Sequence, residues 1–237
     1  MNLKNMNTTK IIEKNKKAIV IIDLMIPVEG NKKRISVRGT GFIITEDGKF
    51  ITNAHVYKKI PEKEMQYIGV SVPGETNEKN LTRYDRYKVE LLKIDEDNDV
   101  ALMKIVTDKP IKFSVVEKLE DSESVKEGEE IVYIGYPLAT EMLNMGFGLT
   151  MTTNKCIISS IKRRGVDGSL HFFLVDTHTN NGSSGSPVFS LENGKLIGIV
   201  SGKISSRVPI SDGKVADIPA NIGICRPAKY IEKILNN

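Results

Sequence analysis

Residues 39–55 read Gly-Thr-Gly-Phe-Ile-Ile-Thr-Glu-Asp-Gly-Lys-Phe-Ile-Thr-Asn-Ala-His. Two β-branched and aromatic runs, Phe42-Ile43-Ile44 and Phe50-Ile51, flank Glu46-Asp47-Gly48-Lys49. That pattern predicts a hairpin, because the glycine supplies the positive φ a tight turn needs. Its far strand runs into Asn53-Ala54-His55, which sets an imidazole where a strand gives way to a short helix and can face a cleft. The device recurs near the other end of the chain. Pro187-Val188-Phe189 and Leu196-Ile197-Gly198-Ile199 flank Glu192-Asn193-Gly194-Lys195.

Between the hairpins, short apolar runs predict strands around Ala18–Ile22, Tyr67–Val72, Tyr87–Ile94, Val100–Val106, Glu130–Ile134, Leu149–Ser159 and Leu170–Asp176. Helical periodicity is confined to the ends. Thr8 or Thr9 is a candidate cap for a short N-terminal helix. Pro227 is a candidate first-turn residue for a C-terminal helix whose Tyr230, Ile231, Ile234 and Leu235 share one face. The class is therefore all-β with closed sheets. The charged, Ser-rich stretch from Thr107 to Glu129 reads as a connection, dividing the chain into halves of residues 1–115 and 116–237.

The 237 residues carry 34 Lys+Arg against 30 Asp+Glu, a formal charge of +4. That is too slight for a nucleic-acid binder, and the triplets Lys32-Lys33-Arg34 and Lys162-Arg163-Arg164 lack interleaved aromatics, so they read as solvated loops. The longest apolar run, Ala18–Ile26, contains Asp23 and is far shorter than the roughly 20 residues of a membrane span. Neither nucleic acid nor membrane is expected as a partner. Two distant cysteines, Cys156 and Cys225, make no metal or disulfide pattern and read as core residues. With no apolar leader at the N-terminus, the expected location is the cytoplasm.

Only three histidines exist, His55, His171 and His178, so imidazole chemistry has few places to reside. Asn180-Asn181-Gly182-Ser183-Ser184-Gly185-Ser186-Pro187 surrounds Ser184 with small residues. Such a turn can aim successive backbone amides at one point, as stabilising an oxyanion requires. Asp95-Glu96-Asp97-Asn98-Asp99 leads into the apolar Val100-Ala101-Leu102-Met103, which draws Asp99 inward and leaves Asp95, Glu96 and Asp97 solvated.

Taken together, GTGFIIT…TNAH, DNDVALM, GSSGSP and LIGIVSG closely resemble the trypsin-like serine proteases, especially bacterial HtrA/Deg and glutamyl-endopeptidase-like members, over nearly residues 10 to 203. The resemblance implies two six-stranded antiparallel barrels of chymotrypsin type. It implies a cleft between them, with His55 and Asp99 from the first half and Ser184 from the second. It makes Ser184 the nucleophile, His55 the general base and then acid, and Asp99 the carboxylate that orients His55. Gly182, Ser183 and Ser184 would form the oxyanion hole. Val200–Lys203, with Ser201, Gly202 and Lys203, would pair with the substrate backbone, and His178 and Thr179 would belong to the wall of the specificity pocket with Asp176 and Thr177.

The order His…Asp…Ser excludes an α/β-hydrolase, whose histidine follows the serine. A papain-type enzyme is equally poor, because no histidine follows Cys225 and Cys156 lies only fifteen residues before His171. Ser183 stands where digestive relatives carry the aspartate that pairs with a newly cut N-terminus, so activity without N-terminal processing is expected. His178 with Lys203 is a candidate reader of an acidic side chain, against the simpler reading that His178 hydrogen-bonds its own loop. His171 reads as structural. The expected reaction is peptide hydrolysis through an acyl-enzyme on a polypeptide substrate, without cofactor or metal. The alternatives are a silent peptide-binding module or a protease domain switched on by a regulatory protein partner. No appended peptide-binding domain is expected within the chain.

Overall fold

The β-branched runs fold into two closed six-stranded antiparallel barrels in a computed structural model that describes residues 7–30, 32–79, 81–116, 122–210 and 214–236. The first barrel comprises β1 (Ile19–Pro27), β2 (Lys33–Ile43), β3 (Lys49–Thr52), β4 (Ile68–Thr76), β5 (Thr82–Asp95) and β6 (Val100–Val106). The second comprises β7 (Glu130–Gly135), β8 (Thr152–Arg163), β9 (Leu170–Val175), β10 (Pro187–Ser190), β11 (Leu196–Pro209) and β12 (Val215–Pro227). The rings close as β1-β2-β3-β6-β5-β4 and β10-β11-β12-β9-β8-β7, the same order when each barrel is numbered from its own first strand. Closure leaves few unpaired edges, so the edge that remains on β11 carries information, as shown below.

Both predicted hairpins form. Phe42 pairs with Ile51 and Ile43 with Phe50, while Pro187 pairs with Ile199 and Val188 with Gly198. Gly48 at φ +90° and Gly194 at φ +76° make the turns, in a conformation that a side chain would strain. The core crosses from barrel to barrel: Phe42, Phe50 and Ile51 belong to the same buried cluster as Ile134, Tyr136 and Phe189. Asp23, the polar residue inside the first apolar run, is buried on β1. It accepts hydrogen bonds from Arg86 Nε at 2.6 Å and Ser71 Oγ at 2.7 Å.

Several elements differ from expectation. The N-terminal helix α1 (Thr8–Asn15) is capped by Asn7, whose side chain accepts from Thr9 N, so neither Thr8 nor Thr9 is the cap. Besides α2 (Ala54–Lys58), the short helix expected at His55, a further helix α3 (Ala139–Asn144) follows β7 and was not signalled by periodicity. β12 went unrecognised because Asp217, Pro219 and Asn221 interrupt its apolar pattern, and its pairing with β11 forms it instead. Pro227 ends β12, and the terminal helix α4 (Lys229–Asn236) starts two residues later. α4 packs against β5 and β6, so the tail of the second half straps the first barrel. The stretch after β6 likewise lies on the first barrel, with Phe113 N donating to Glu46 O and Val116 N to Ile43 O, both at 2.9 Å.

Asp95 is not solvated; it accepts from Asn98 N and Nδ2 and lies 3.5 Å from Lys233 Nζ. The 162–164 triplet is not a free loop either. Lys162 and Arg163 lie on β8, Arg163 pairs with Glu123 at 2.8 Å, and Arg164 donates to Asn98 Oδ1 at 2.9 Å. Residues 1–6, read above for a leader, and 117–121 of the connection lie outside the described residues. Among the described residues, no helix is long and apolar enough to cross a membrane.

Candidate active site

The chain leaves β3 at Thr52, and Asn53 turns it into α2. Asn53 Nδ2 is bonded to Asp99 O at 2.9 Å, so the start of the helix is tied to the turn between β5 and β6. That turn is tight enough to hold Asp99 at φ +57°, a left-handed conformation that aspartate tolerates better than most residues. In this conformation the carboxylate faces His55. Its oxygens accept the His55 backbone N–H at 3.0 Å and both lie 2.9 Å from Nδ1. The other ring nitrogen, Nε2, is 3.0 Å from Ser184 Oγ. Both imidazole nitrogens are thus engaged, and the carboxylate selects the tautomer with its proton on Nδ1, which leaves Nε2 free to accept the serine proton.

A fourth side chain joins from β11, where Ser201 Oγ donates a hydrogen bond to Asp99 Oδ2. Burial by itself would raise the Asp99 carboxyl. The hydrogen bond and charge of the His55 ring, the Ser201 hydroxyl and the His55 N–H outweigh it and hold the group below its ordinary value. Asp99 therefore stays anionic throughout the neutral range, as an orienting carboxylate must.

The Ser184 turn is held by contacts along its whole length. Gly182 at φ +91° and Gly185 at φ +90° have no room for a side chain: a Cβ on Gly182 would sit 2.2 Å from Tyr136 O, and one on Gly185 1.8 Å from Thr40 O. Ser183 Oγ accepts from Asn180 N at 3.1 Å, and Ser183 N donates to Asn180 O at 2.9 Å. This corrects the expected oxyanion set, because the Ser183 amide is consumed in closing the turn. The amides of Gly182 and Ser184 meet no acceptor among the described residues and remain available.

Thr40 lies on β2 of the first barrel, within a Gly-Thr-Gly run that assigns it no role. It is fully buried; its N–H donates to Ser184 O at 2.8 Å and its hydroxyl donates to Gly182 O at 2.7 Å. The same hydroxyl accepts from Tyr136 N at 3.0 Å. Only a local clue existed, the small residues Gly39 and Gly41 on either side, and a Cβ on Gly39 would come within 3.0 Å of Ser184 O.

β10 pairs with β11 only as far as Ile199, and Val200 is bonded through its N and O to Ser186 O and Gly185 N. Beyond it, no strand among the described residues pairs with β11 on the side away from β12 at Ser201, Gly202 and Lys203, an edge that can add an extended strand. Thr179 is buried and donates to Gly202 O at 2.7 Å, so it positions that edge. His178 is exposed, and its carbonyl accepts Tyr133 Oη at 2.9 Å. Asp176 is exposed, and its Oδ1 accepts from Ile157 N at 2.8 Å. His171 lies apart, with Nδ1 3.2 Å from Tyr230 Oη, in keeping with a structural role. Cys156 and Cys225 are free and buried.

The profile of the trypsin-like peptidase domain matches residues 39–199. Among curated proteins the chain is similar to the human serine protease HTRA3, 32% identical over 206 residues covering 84% of this chain and 40% of that protein. It is 34% identical over 172 residues to a probable periplasmic serine endoprotease, DegP-like, of Halomonas elongata, covering 72% of this chain and 30% of that protein. It is 33% identical over 165 residues to the magnetosome formation protease MamE of Paramagnetospirillum magneticum, covering 68% of this chain and 19% of that protein. The chain spans less than half the length of each of these relatives.

Proposed function

This chain belongs to the trypsin-like peptidase family, and from that premise we propose that it is a serine endopeptidase in which Ser184, His55 and Asp99 act as one unit. The observation that carries the reading is the unbroken chain from Asp99 through both nitrogens of His55 to Ser184 Oγ, at 2.9 and 3.0 Å.

In the first step Ser184 Oγ attacks the scissile carbonyl carbon while His55 Nε2 takes the hydroxyl proton. Asp99 remains ionised and stabilises the imidazolium through Nδ1–H. The negative charge on the former carbonyl oxygen is met by the Gly182 and Ser184 amides, each worth about 2.7–4 kcal/mol in such sites. Collapse of the adduct breaks the C–N bond as His55 returns the proton to the leaving amine. A water activated by the same imidazole then releases the acyl group from Ser184 and restores the hydroxyl. The substrate is an extended polypeptide whose acyl side adds to Ser201–Lys203 on β11.

No N-terminal cleavage is needed on this reading. What supports this is Ser183, whose hydroxyl already has its partner in Asn180 N and so requires no newly created amine to hold the turn.

A fluorophosphonate probe tests the proposal. The wild type should label and should cut an unfolded protein substrate, and Ser184→Ala and His55→Ala should do neither, with turnover down on the order of 10⁶. A protein that binds peptides but never labels would be a silent binding module instead.

A further inference from the structure

Ser184 and His55 also line a cleft of about 400 Å³ that includes none of residues 176–179 or 201–203. It therefore lies on the other flank of the nucleophile from the β11 edge. If the acyl side of a polypeptide pairs with β11, the residues after the cleaved bond must pass through this cleft, because Ser184 stands between the two. What lines it decides what those residues can be.

One wall carries Arg38 from β2 and Lys59 from the end of α2; the other carries Thr140 and Glu141 from α3. Val37 N donates to Thr140 Oγ1 at 2.9 Å, which joins the walls at the base. Arg38 is half-buried, and its Nη2 donates to Lys59 O at 3.0 Å, so the guanidinium is held against the wall. Its other N–H groups have no acceptor among the described residues. Lys59 makes no ion pair among them either, whereas its neighbour Lys58 is committed to Glu96. Glu141 and Lys59 are both exposed and screened by solvent, so the half-buried Arg38 decides between the signs. A fixed, partly desolvated guanidinium acts on a ligand more strongly than a solvated carboxylate does, and its fork matches a carboxylate in shape. The basic wall therefore sets the sign.

We infer that Arg38, backed by Lys59, makes this protein prefer substrates with Asp or Glu at the first or second position after the cleaved bond. The inference rests on the hydrolase reading of the same site and names its substrate class.

The test uses quenched peptides identical except for Glu, Ala or Lys at those two positions, and a small ester with nothing after its cleaved bond. With wild type, Glu peptides should exceed Lys peptides in kcat/KM by about five- to tenfold at low salt, and the ratio should shrink as salt rises. Arg38→Gln should bring the Glu-to-Lys ratio close to one. Lys59→Ala, at an exposed position that poses no folding risk, should lower the ratio by about twofold. The same three peptides are titrated onto Ser184→Ala by fluorescence anisotropy, where Glu should again bind more tightly than Lys. Equal rates and equal binding for all three, or a preference for Lys governed by Glu141, would overturn the inference while ester hydrolysis left the hydrolase reading intact. Failure of the wild type to hydrolyse the ester would sink that reading instead, and the binding series would still decide the charge preference.

Discussion

Replacing Thr40 with valine keeps the shape of the side chain and the backbone bonds to Ser184 O and from Thr52 Oγ1 but removes the hydroxyl that joins the first barrel to the Ser184 turn. Two groups then lose their partner, the buried Tyr136 N and the partly buried Gly182 O. A buried polar group left unpaired costs about 1–3 kcal/mol, so the pair costs about 4 kcal/mol of stability. At about 2–4 °C per kcal/mol for a chain of this size, the melting temperature should fall by roughly 10 °C. The kinetic effect is separable. Gly182 O anchors the peptide unit whose neighbouring amide faces the reacting carbonyl, and freeing it puts at risk a donor worth about 10²–10³ in kcat. KM should move little, because the β11 edge is untouched.

Thr40→Ser supplies the control, since it restores the hydroxyl at the cost of a methyl group. It should recover kcat to within about threefold while regaining only part of the lost stability. Steady-state kinetics on a peptide substrate, with fluorophosphonate labelling rates alongside thermal melts, read both effects. A valine variant with wild-type kcat, or serine and valine variants with equal losses in kcat, would refute the view that Thr40 positions the turn.

Arg86→Leu should cost about 2–3 kcal/mol, because it leaves Asp23 ionised and buried with Ser71 as its remaining side-chain partner. Burial already raises the Asp23 carboxyl above 3.8 despite the lowering influence of Arg86 and Ser71, so the fold holds that proton more tightly than the unfolded chain. Ionisation thus costs stability as pH rises from 3.8 upward, and removing Arg86 widens the window. Urea melts should show the deficit shrinking as pH falls from neutrality, and a deficit that grew on acidification would contradict this sign. Gly185→Ala places a Cβ 1.8 Å from Thr40 O at φ +90° and should abolish labelling of Ser184 with a loss of about 3 kcal/mol or more; a variant that labels at the wild-type rate would count against the tight-turn geometry. Burial pushes the Cys156 thiol up to about 12 and the Cys225 thiol well above its ordinary value, so alkylation near pH 8 should be slow until the protein is denatured, a contrast that thiol labelling with and without urea checks.

What the sequence discloses and what it withholds divide along the range of the interactions. The hairpins at Gly48 and Gly194 are legible because the signal and the structure occupy the same few residues. His55 stands out because histidines are few and it follows directly on a strand, and Ser184 because it sits in a short run of small residues. Asp99 is legible as the last acid before a buried strand. By contrast, Thr40 bonds to a carbonyl 142 positions away, and nothing in Gly-Thr-Gly distinguishes a threonine that holds a distant loop from one that fills a strand. β12 is hidden for a related reason: its residues are poor strand formers, and its partner β11 supplies the order. The fate of the Ser183 amide is not legible either, because small residues on both sides of Ser184 show that the turn is tight, not which of its amides the turn itself consumes.

The positive-φ residues Asp99 (φ +57°) and Gly182 (φ +91°) belong to different barrels. Each is braced by a residue of the other, Asp99 by Ser201 and Gly182 by Thr40. The reactive geometry is therefore a property of the interface between the barrels. Loss of either hydroxyl should disturb a group of the opposite barrel, because the side chain that supports each group is contributed from across the interface.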